Sequence, residues 1–295
     1  MELRNTFKDT ILKIISHSWL IILSVICVVP FLIIVSASLS SSESFALNGY
    51  TILPTEFNLD SFKYVFMEPG QVLSAYGVTI VVTLLGTVGG MFLMTTLAYV
   101  ISREDFMLKG PLSFFIYFTM LFNGGMVANY MWIAKSLNMY DTIWALILPI
   151  MMNASHVLIL RMFCKSIPNE LFECAKLEGA SEFRIFFTIV IPLAKTGIAT
   201  IALLTIFNYW NNWYNSMLYM DSDAYTTIQY YLVRVLNSIQ FAKNSASSGM
   251  VSGMEIPDEG IRMCICLIAV GPMVVIFPFF QKYFAKGVVM GSVKG

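Results

Sequence analysis

The sequence predicts an all-α, polytopic membrane protein with six transmembrane helices and both termini cytoplasmic. Three observations carry that expectation. The 295-residue chain is 57% hydrophobic and only 12% charged, whereas soluble domains carry about 25% charged residues. So large an apolar excess needs lipid as part of its solvent. Six stretches of at least 18 residues lack Asp, Glu, Lys and Arg: 14–42, 69–102, 110–134, 142–160, 196–220 and 263–281. Each is long enough to cross roughly 30 Å of hydrocarbon at about 1.5 Å per residue. Finally, threading from the inside leaves 13 of the 18 Lys and Arg residues on the cytoplasmic side, as the positive-inside bias requires.

The first run follows basic residues, as a secretory signal does. Its apolar stretch from Trp19 to Leu39 exceeds the roughly 7–15 residues of a signal core, so it reads as an uncleaved anchor. Residues 1–18 are taken as a cytoplasmic N-terminus and 19–295 as one transmembrane domain. Residues 40–70 read as an irregular external loop with a short helix at 60–67. In the second run Gly86 and Gly90 share a face, and small residues at that spacing let helices approach closely in lipid. Residues 219–259 read as a long external connector, with Lys243 to Gly249 as a flexible tip. The balanced charge, 18 basic against 18 acidic, gives no reason to expect a nucleic-acid partner. Cys27, Cys164, Cys174, Cys264 and Cys266 are scattered without metal spacing and read as packing residues.

The inside segment from Arg161 to Lys195 is patterned differently. Pro168 and Glu170 mark the first turn of a helix, and Leu171, Phe172 and Ala175 give it an apolar face. Glu178 and Gly179 break it, since Gly179 accepts the positive φ of a sharp reversal. Ser181 caps a second helix. Phe183, Phe186, Phe187 and Val190 follow as an amphipathic stripe, and Pro192 ends it ahead of the fifth span. Two short angled helices at 165–192 make a docking knob.

Glu173-Cys174-Ala175, three residues, Gly179, nine residues, then Ile189-Val190-Ile191-Pro192 resembles the EAA loop of bacterial ABC importer permeases. Cys174 and Ile191 stand where that loop commonly has Ala and Leu. Asn123 through Tyr130, the Tyr209-Trp210-Asn211-Asn212-Trp213-Tyr214-Asn215 run, and the tail from Phe279 to Gly295 resemble the carbohydrate-uptake branch, specifically its maltose-type second permease. The resemblance covers most of residues 70–295. It implies a type I ABC importer permease fold. It also implies a second, homologous permease, two ATP-binding subunits and an extracellular sugar-binding protein, all working in a bacterial plasma membrane.

No phosphate-cradling Gly-x-x-x-x-Gly-Lys-Ser/Thr loop is present, so the resemblance implies that ATP and Mg are used by the separate ATPase and that this chain is no enzyme. Residues expected to carry the coupling are Glu170, Glu173, Cys174, Ala175, Gly179, Ala180, Phe183, Ile189 and Pro192. The family resemblance places the tail at 285–295 near the ATPase. For an oligosaccharide cargo, aromatic faces stack on sugar C–H groups and amides bond hydroxyls both ways. Asn123, Asn208, Tyr209, Trp210, Asn211, Asn212 and Trp213 are therefore the candidate pathway residues. The competing explanation is an interfacial aromatic belt, and in the maltose-type family most cargo contacts come from the other permease. An ion-coupled secondary transporter of a polar solute is the alternative function. It needs ionisable groups near the bilayer middle; the six runs are defined by lacking Asp, Glu, Lys and Arg, and the imidazole of His156 within them is weak support for ion coupling.

Overall fold

The computed structural model describes residues 7–41, 44, 48–54, 56–67, 69–247 and 258–292. Thirteen helical segments are used below: α1 (Phe7–Ser38), α2 (Asp60–Val65), α3 (Pro69–Ser102), α4 (Lys109–Leu121), α5 (Gly125–Ser136), α6 (Ile143–Ile150), α7 (Ala154–Lys165), α8 (Asn169–Leu177), α9 (Glu182–Leu193), α10 (Lys195–Trp210), α11 (Tyr214–Tyr219), α12 (Ile228–Ser247) and α13 (Asp258–Ser292). Among the described residues the only β pairing is an isolated bridge between Ser40 and Phe57.

Three single helices are long and apolar enough to cross a membrane: Ile11–Ser38, Pro69–Ser102 and Gly260–Gln281. The other three expected spans are bent pairs. α4 and α5 meet at 119°, α6 and α7 at 52°, and α9 and α10 at 81°. With each pair taken as one span, the described residues hold up to six. The uncharged runs at 110–134, 142–160 and 196–220 therefore predicted apolar length correctly but not straightness. A charge count is blind to helix breaks, and two of the three have a local feature beside them. Gly125 adopts φ +80°, with Asn123 Oδ1 accepting its N–H at 2.8 Å. Asn153 ends the second bend by capping α7, accepting from the His156 N–H at 3.3 Å.

The chain packs as two units. In the one built from residues 1–69 and 234–271, Gly260 lies so close to Ser61 that a Cβ would stand 2.5 Å from its Oγ. Arg262 donates to Gln240 Oε1 at 2.9 Å. α1 starts at Phe7, so the segment read as an N-terminal tail is helical from that point and continuous with the apolar stretch. Leu20, Ile21 and Ile22 on α1 are more than half exposed, a surface suited to lipid.

In the unit of 70–233 and 272–295, α3 is the central post. Near its start, Thr79 Oγ1 accepts the Ile228 N–H at 2.8 Å. Val82 packs with Ala145, Leu146, Ile147, Tyr209 and Tyr219. Near its end, Met94, Ala98, Tyr99 and Ile101 pack with Leu160, Phe172, Ile185, Phe186 and Val190. Residues 79 and 99 are about 30 Å apart along a helix rising 1.5 Å per residue, the thickness of the hydrocarbon core.

The glycine seam is internal to the subunit. A Cβ on Gly86 would enter the Tyr209 ring, and one on Gly90 would stand 2.5 Å from the Met151 carbonyl oxygen. Buried Tyr209 donates to the Ile147 carbonyl at 2.7 Å, tying α10 to α6 across α3.

The external connector was misread. Residues 228–247, within the segment read as a long connector with a flexible tip, form one helix of 20 residues. Ile228, Leu232 and Ile239 are buried along one side, and the segment lacks Gly and Pro. The interleaved Gln, Arg, Asn and Ser residues hid that period. Lys243 to Ser247 fall in the helix, and Ser248 and Gly249 lie outside the described residues. The short helix expected at 60–67 is α2. Cys164 and Cys264 are buried as expected of packing residues, while Cys27, Cys174 and Cys266 are exposed.

Substitution of two glycines on α3 tests the seam. Gly77 has nothing near its Cβ position, so Gly77→Ala is expected to leave the unfolding temperature in detergent unchanged or raised. Gly86→Ala forces the Tyr209 ring aside and is expected to destabilise by about 1–3 kcal/mol, read as a lowered midpoint.

Candidate coupling foot and cargo clefts

The knob forms from local rules. Pro168 (φ −58°, ψ 136°) stands just ahead of α8 rather than inside its first turn, because a ring without an N–H fits where no helical bond is due. α8 ends in a Schellman turn: Gly179 N–H bonds the Lys176 carbonyl at 3.0 Å and Ala180 N–H the Ala175 carbonyl at 2.9 Å. That closure needs a left-handed residue, and Gly179 supplies φ +79°. No atom crowds its Cβ position, so the demand on Gly179 is purely conformational. Ser181 Oγ then accepts the Arg184 N–H at 3.4 Å, capping α9.

The expected apolar faces are only partly right. Phe172 is buried, Ala175 half-buried and Leu171 exposed. On α9, Phe186 and Val190 are buried, with Ile185 beside them, and Ile189 is half-buried. Phe183 and Phe187 point outward, Phe183 being 77% exposed. The helix widens to a π turn at Phe186–Val190, which rotates the register that a regular 3.6-residue period assumed. Pro192 does not end the segment. It sits inside the final turn, Ile191–Leu193, and the 81° bend comes after it, at Ala194. Glu170, Glu173 and Cys174 are exposed on α8, and Ala180 is half-buried at the turn.

Polar residues that sequence reasoning missed hold this foot. Tyr99 at the end of α3 donates to Glu182 Oε2 at 2.6 Å. Lys176 reaches Glu182 Oε1 at 3.0 Å and Asp105 Oδ2 at 2.9 Å. Arg103 grips Asp105 through Nε and Nη2, at 3.2 and 3.0 Å, and lies over the Phe172 ring, 4.4 Å from its centroid. Tyr99 also packs on the Phe172 and Phe186 rings, with centroids 6.1 and 5.7 Å away. The two polar links that cross to the foot, Tyr99–Glu182 and Asp105–Lys176, join residues 83 and 71 apart in sequence, so no local pattern announces them. One available signal was the cluster of opposite charges at 103–105 following a long uncharged run.

The Lys176 ammonium, followed by the Arg103 guanidinium, holds the Asp105 carboxyl down at about 2. Bonding to Asp105 and Glu182 raises Lys176 in turn. The contribution of Asp105 is therefore present above 3.8 and is lost as the pH falls through about 2. That of Lys176 is present below 10.5 and is lost as the pH rises through its raised value. Across the physiological range Asp105, Glu182 and Lys176 therefore all carry their charges.

The candidate pathway residues divide into three groups. Asn123 lines a cleft of about 620 Å³ beneath α5. Asn208, Asn211, Asn212 and Trp213 line a second, more open cleft of about 570 Å³. Tyr209 and Trp210 are buried in the protein core, the latter against Tyr76 with ring centroids 6.2 Å apart, so neither faces a pathway. The run is not one continuous span either, since α10 ends at Trp210 and α11 starts at Tyr214. Asn211 Nδ2 satisfies the Phe207 carbonyl at 3.0 Å, and Asn212 Oδ1 the Asn215 N–H at 3.0 Å. Asn212 serves an N–H at the start of α11, while Asn211 adds a second bond to a carbonyl that already accepts the Asn211 N–H at 3.1 Å. Opposite them, Asp141 Oδ1 accepts from the N–H groups of Asp221 and Ser222 and from Ser222 Oγ, at 3.2, 3.1 and 2.9 Å. These bonds join the loop before α6 to the one after α11.

A post bearing a bent-helix foot at one end and clefts at the other is the architecture of an importer permease. Residues 95–290 match the binding-protein-dependent transport system inner membrane component family, and the chain belongs to that family. It is a transport permease of the ABC importer type, a class that works with ATPase and substrate-binding components. It is 37% identical over 288 residues (98% of this chain, 100% of the relative) to the polygalacturonan/rhamnogalacturonan transport system permease protein YtcP of Bacillus subtilis. It is 27% identical to the arabinooligosaccharides transport system permease protein AraQ of Halalkalibacterium halodurans, over 94% of this chain and 97% of that one. A solved bacterial ABC transporter involved in import of the acidic polysaccharide alginate contains a chain that superposes with a TM-score of 0.80. That chain is 25% identical, with 96% of this protein and 99% of it covered.

Asp105→Asn removes the central anion of the network. Exposed pairs are worth about 0.2–1 kcal/mol each, so amide exchange across 169–185 is expected to rise about two- to five-fold, with 79–95 unchanged. Between pH 5 and 9 the wild-type protection of 169–185, corrected for intrinsic exchange, is expected to stay constant.

Proposed function

We propose that this chain is one of two homologous permease subunits in the plasma membrane of a bacterium. Two ATP-binding subunits using ATP and Mg drive the assembly, an extracellular binding protein feeds it, and its cargo is an oligosaccharide. The observation that carries the reading is the foot: two short helices joined at Gly179, the second set at 81° to the following helix, tied to α3 by the Tyr99–Glu182 hydrogen bond and to the segment just after α3 by the Lys176–Asp105 ion pair. A membrane carrier driven by an ion gradient has no use for such an element. The outward Leu177, Phe183 and Phe187, 88%, 77% and 53% exposed, offer an apolar tip to a groove on the motor chain. Glu170 and Glu173 offer charges beside it, Cys174 and Ala175 are small enough for close approach, and Ile189 and Pro192 link the tip to α10. The names of two relatives, which print polygalacturonan/rhamnogalacturonan and arabinooligosaccharides, support the cargo class.

The test is uptake of labelled oligosaccharides by the complete transporter in proteoliposomes, with ATP hydrolysis measured in parallel. The wild type is expected to accumulate at least one oligosaccharide only with ATP and binding protein present. Gly179→Val places a β-branched residue at φ +79°, a conformation costing of order 1–3 kcal/mol. It is expected to keep insertion and ATP hydrolysis but lose at least about ten-fold in uptake per ATP. Accumulation driven by a proton or sodium gradient without ATP would contradict the proposal.

A further inference from the structure

Among the described residues six buried side chains have a polar atom without a partner, Ser36, Thr83, Thr87, Ser113, Asn215 and Thr227; Asn215 is the amide among them. It is 93% buried at the start of α11, yet its Nδ2 has no hydrogen-bond partner. Leaving a buried donor unpaired costs about 1–3 kcal/mol, so a residue in that state calls for a partner in the working protein. Its neighbour Asn212 shows the contrast, since its amide oxygen is engaged. Asn215 also lines both clefts.

The cleft beneath α5 has the composition of a sugar site. Its volume of about 620 Å³ falls in the usual range of roughly 300–1,000 Å³ for small-molecule pockets. Trp132 and Tyr214 contribute accessible ring surface, 61% and 39% exposed. Asn123 and Asn129 add amides at the mouth, and Asn123 Oδ1 is already committed to the Gly125 N–H, leaving its amino group free to donate. Tyr219 forms the floor, held by a parallel stack on Tyr130 with centroids 6.0 Å apart. None of the residues lining the cleft carries a charge. A carboxylate brought into it would lose hydration with no cation to replace it, whereas a neutral polyhydroxyl ring meets amides and aromatic faces.

We infer that this cleft is a subsite for one uncharged pyranose unit of the cargo, with Asn215 Nδ2 donating to a ring hydroxyl and Trp132 or Tyr214 stacking on its C–H face. The inference rests on the oligosaccharide reading above and deepens it. This subunit then contacts the cargo directly, and any uronate of an acidic oligosaccharide lies outside this cleft.

Transport kinetics of the assembled complex decide the matter, using one neutral and one uronate-containing oligosaccharide from the panel. Asn215→Ala and Trp132→Ala are each expected to raise the KM for uptake about 3- to 10-fold, the size of one lost hydrogen bond or stacking contact. Stimulation of ATP hydrolysis by the unliganded binding protein should not change. Asn215→Asp, which brings a negative charge, is expected to penalise the uronate-containing cargo more than the neutral one. Trp132 is mostly exposed, so its replacement does not threaten folding. Unchanged KM in both alanine variants overturns the inference. So does a loss of the partner permease on purification with KM intact, which would make the cleft a seat for that subunit. Failure of the wild type to move any sugar instead overturns the cargo reading itself.

Discussion

The foot and α3 share one polar network, and the rest of the structure depends on that sharing. Tyr99, Glu182, Lys176, Asp105 and Arg103 form an unbroken chain of contacts between 2.6 and 3.2 Å, seated on the rings of Phe172 and Phe186. No single link is strong, because the ion pairs are partly solvated. Together they fix the direction of the foot, which apolar packing alone would leave free to slide. A force on the foot therefore enters the membrane domain through α3 as well as through α10.

At the other end of α3 the problem is reversed. There the chain must pass bent helices close to the post without stranding backbone groups in lipid. Two glycines admit the Tyr209 ring and the Met151 carbonyl, and short polar side chains serve the breaks: Asn123 for Gly125, Asn153 for His156, Asn212 for Asn215. The Asn-rich character of this region thus has mainly a structural origin. Asn215 is the exception, which is why it is the residue singled out as facing cargo.

The apolar runs, the helix pair at 165–192 and the turn at Gly179 could be read from the residues, because length, capping and positive φ are local properties. The bends could not, since counting charges registers hydrophobic length and ignores direction. The outward turn of Phe183 and Phe187 was lost for a related reason: a π turn shifts the face by a fraction of a residue, and the sequence does not mark where it falls. Tyr209 looked like a cargo ligand because an aromatic beside asparagines serves sugar binding and core packing equally well; only the glycine it meets on α3 tells them apart. The network at Asp105 showed in the sequence only as the charge cluster at 103–105, because its links to Lys176 and Glu182 are made by tertiary structure. α12 was missed because polar residues outnumber the few that its buried side requires.

The central claim is that foot and post move as one body. Pulsed electron-spin distances between labels at Glu173 on α8 and Phe92 on α3, in the assembled transporter with its native cysteines replaced, measure this directly. The account predicts one narrow distance that is the same with and without ATP, and that broadens when Asp105 is replaced by Asn. A wild-type distance that changes on ATP binding would show the foot turning independently of α3 and would contradict it.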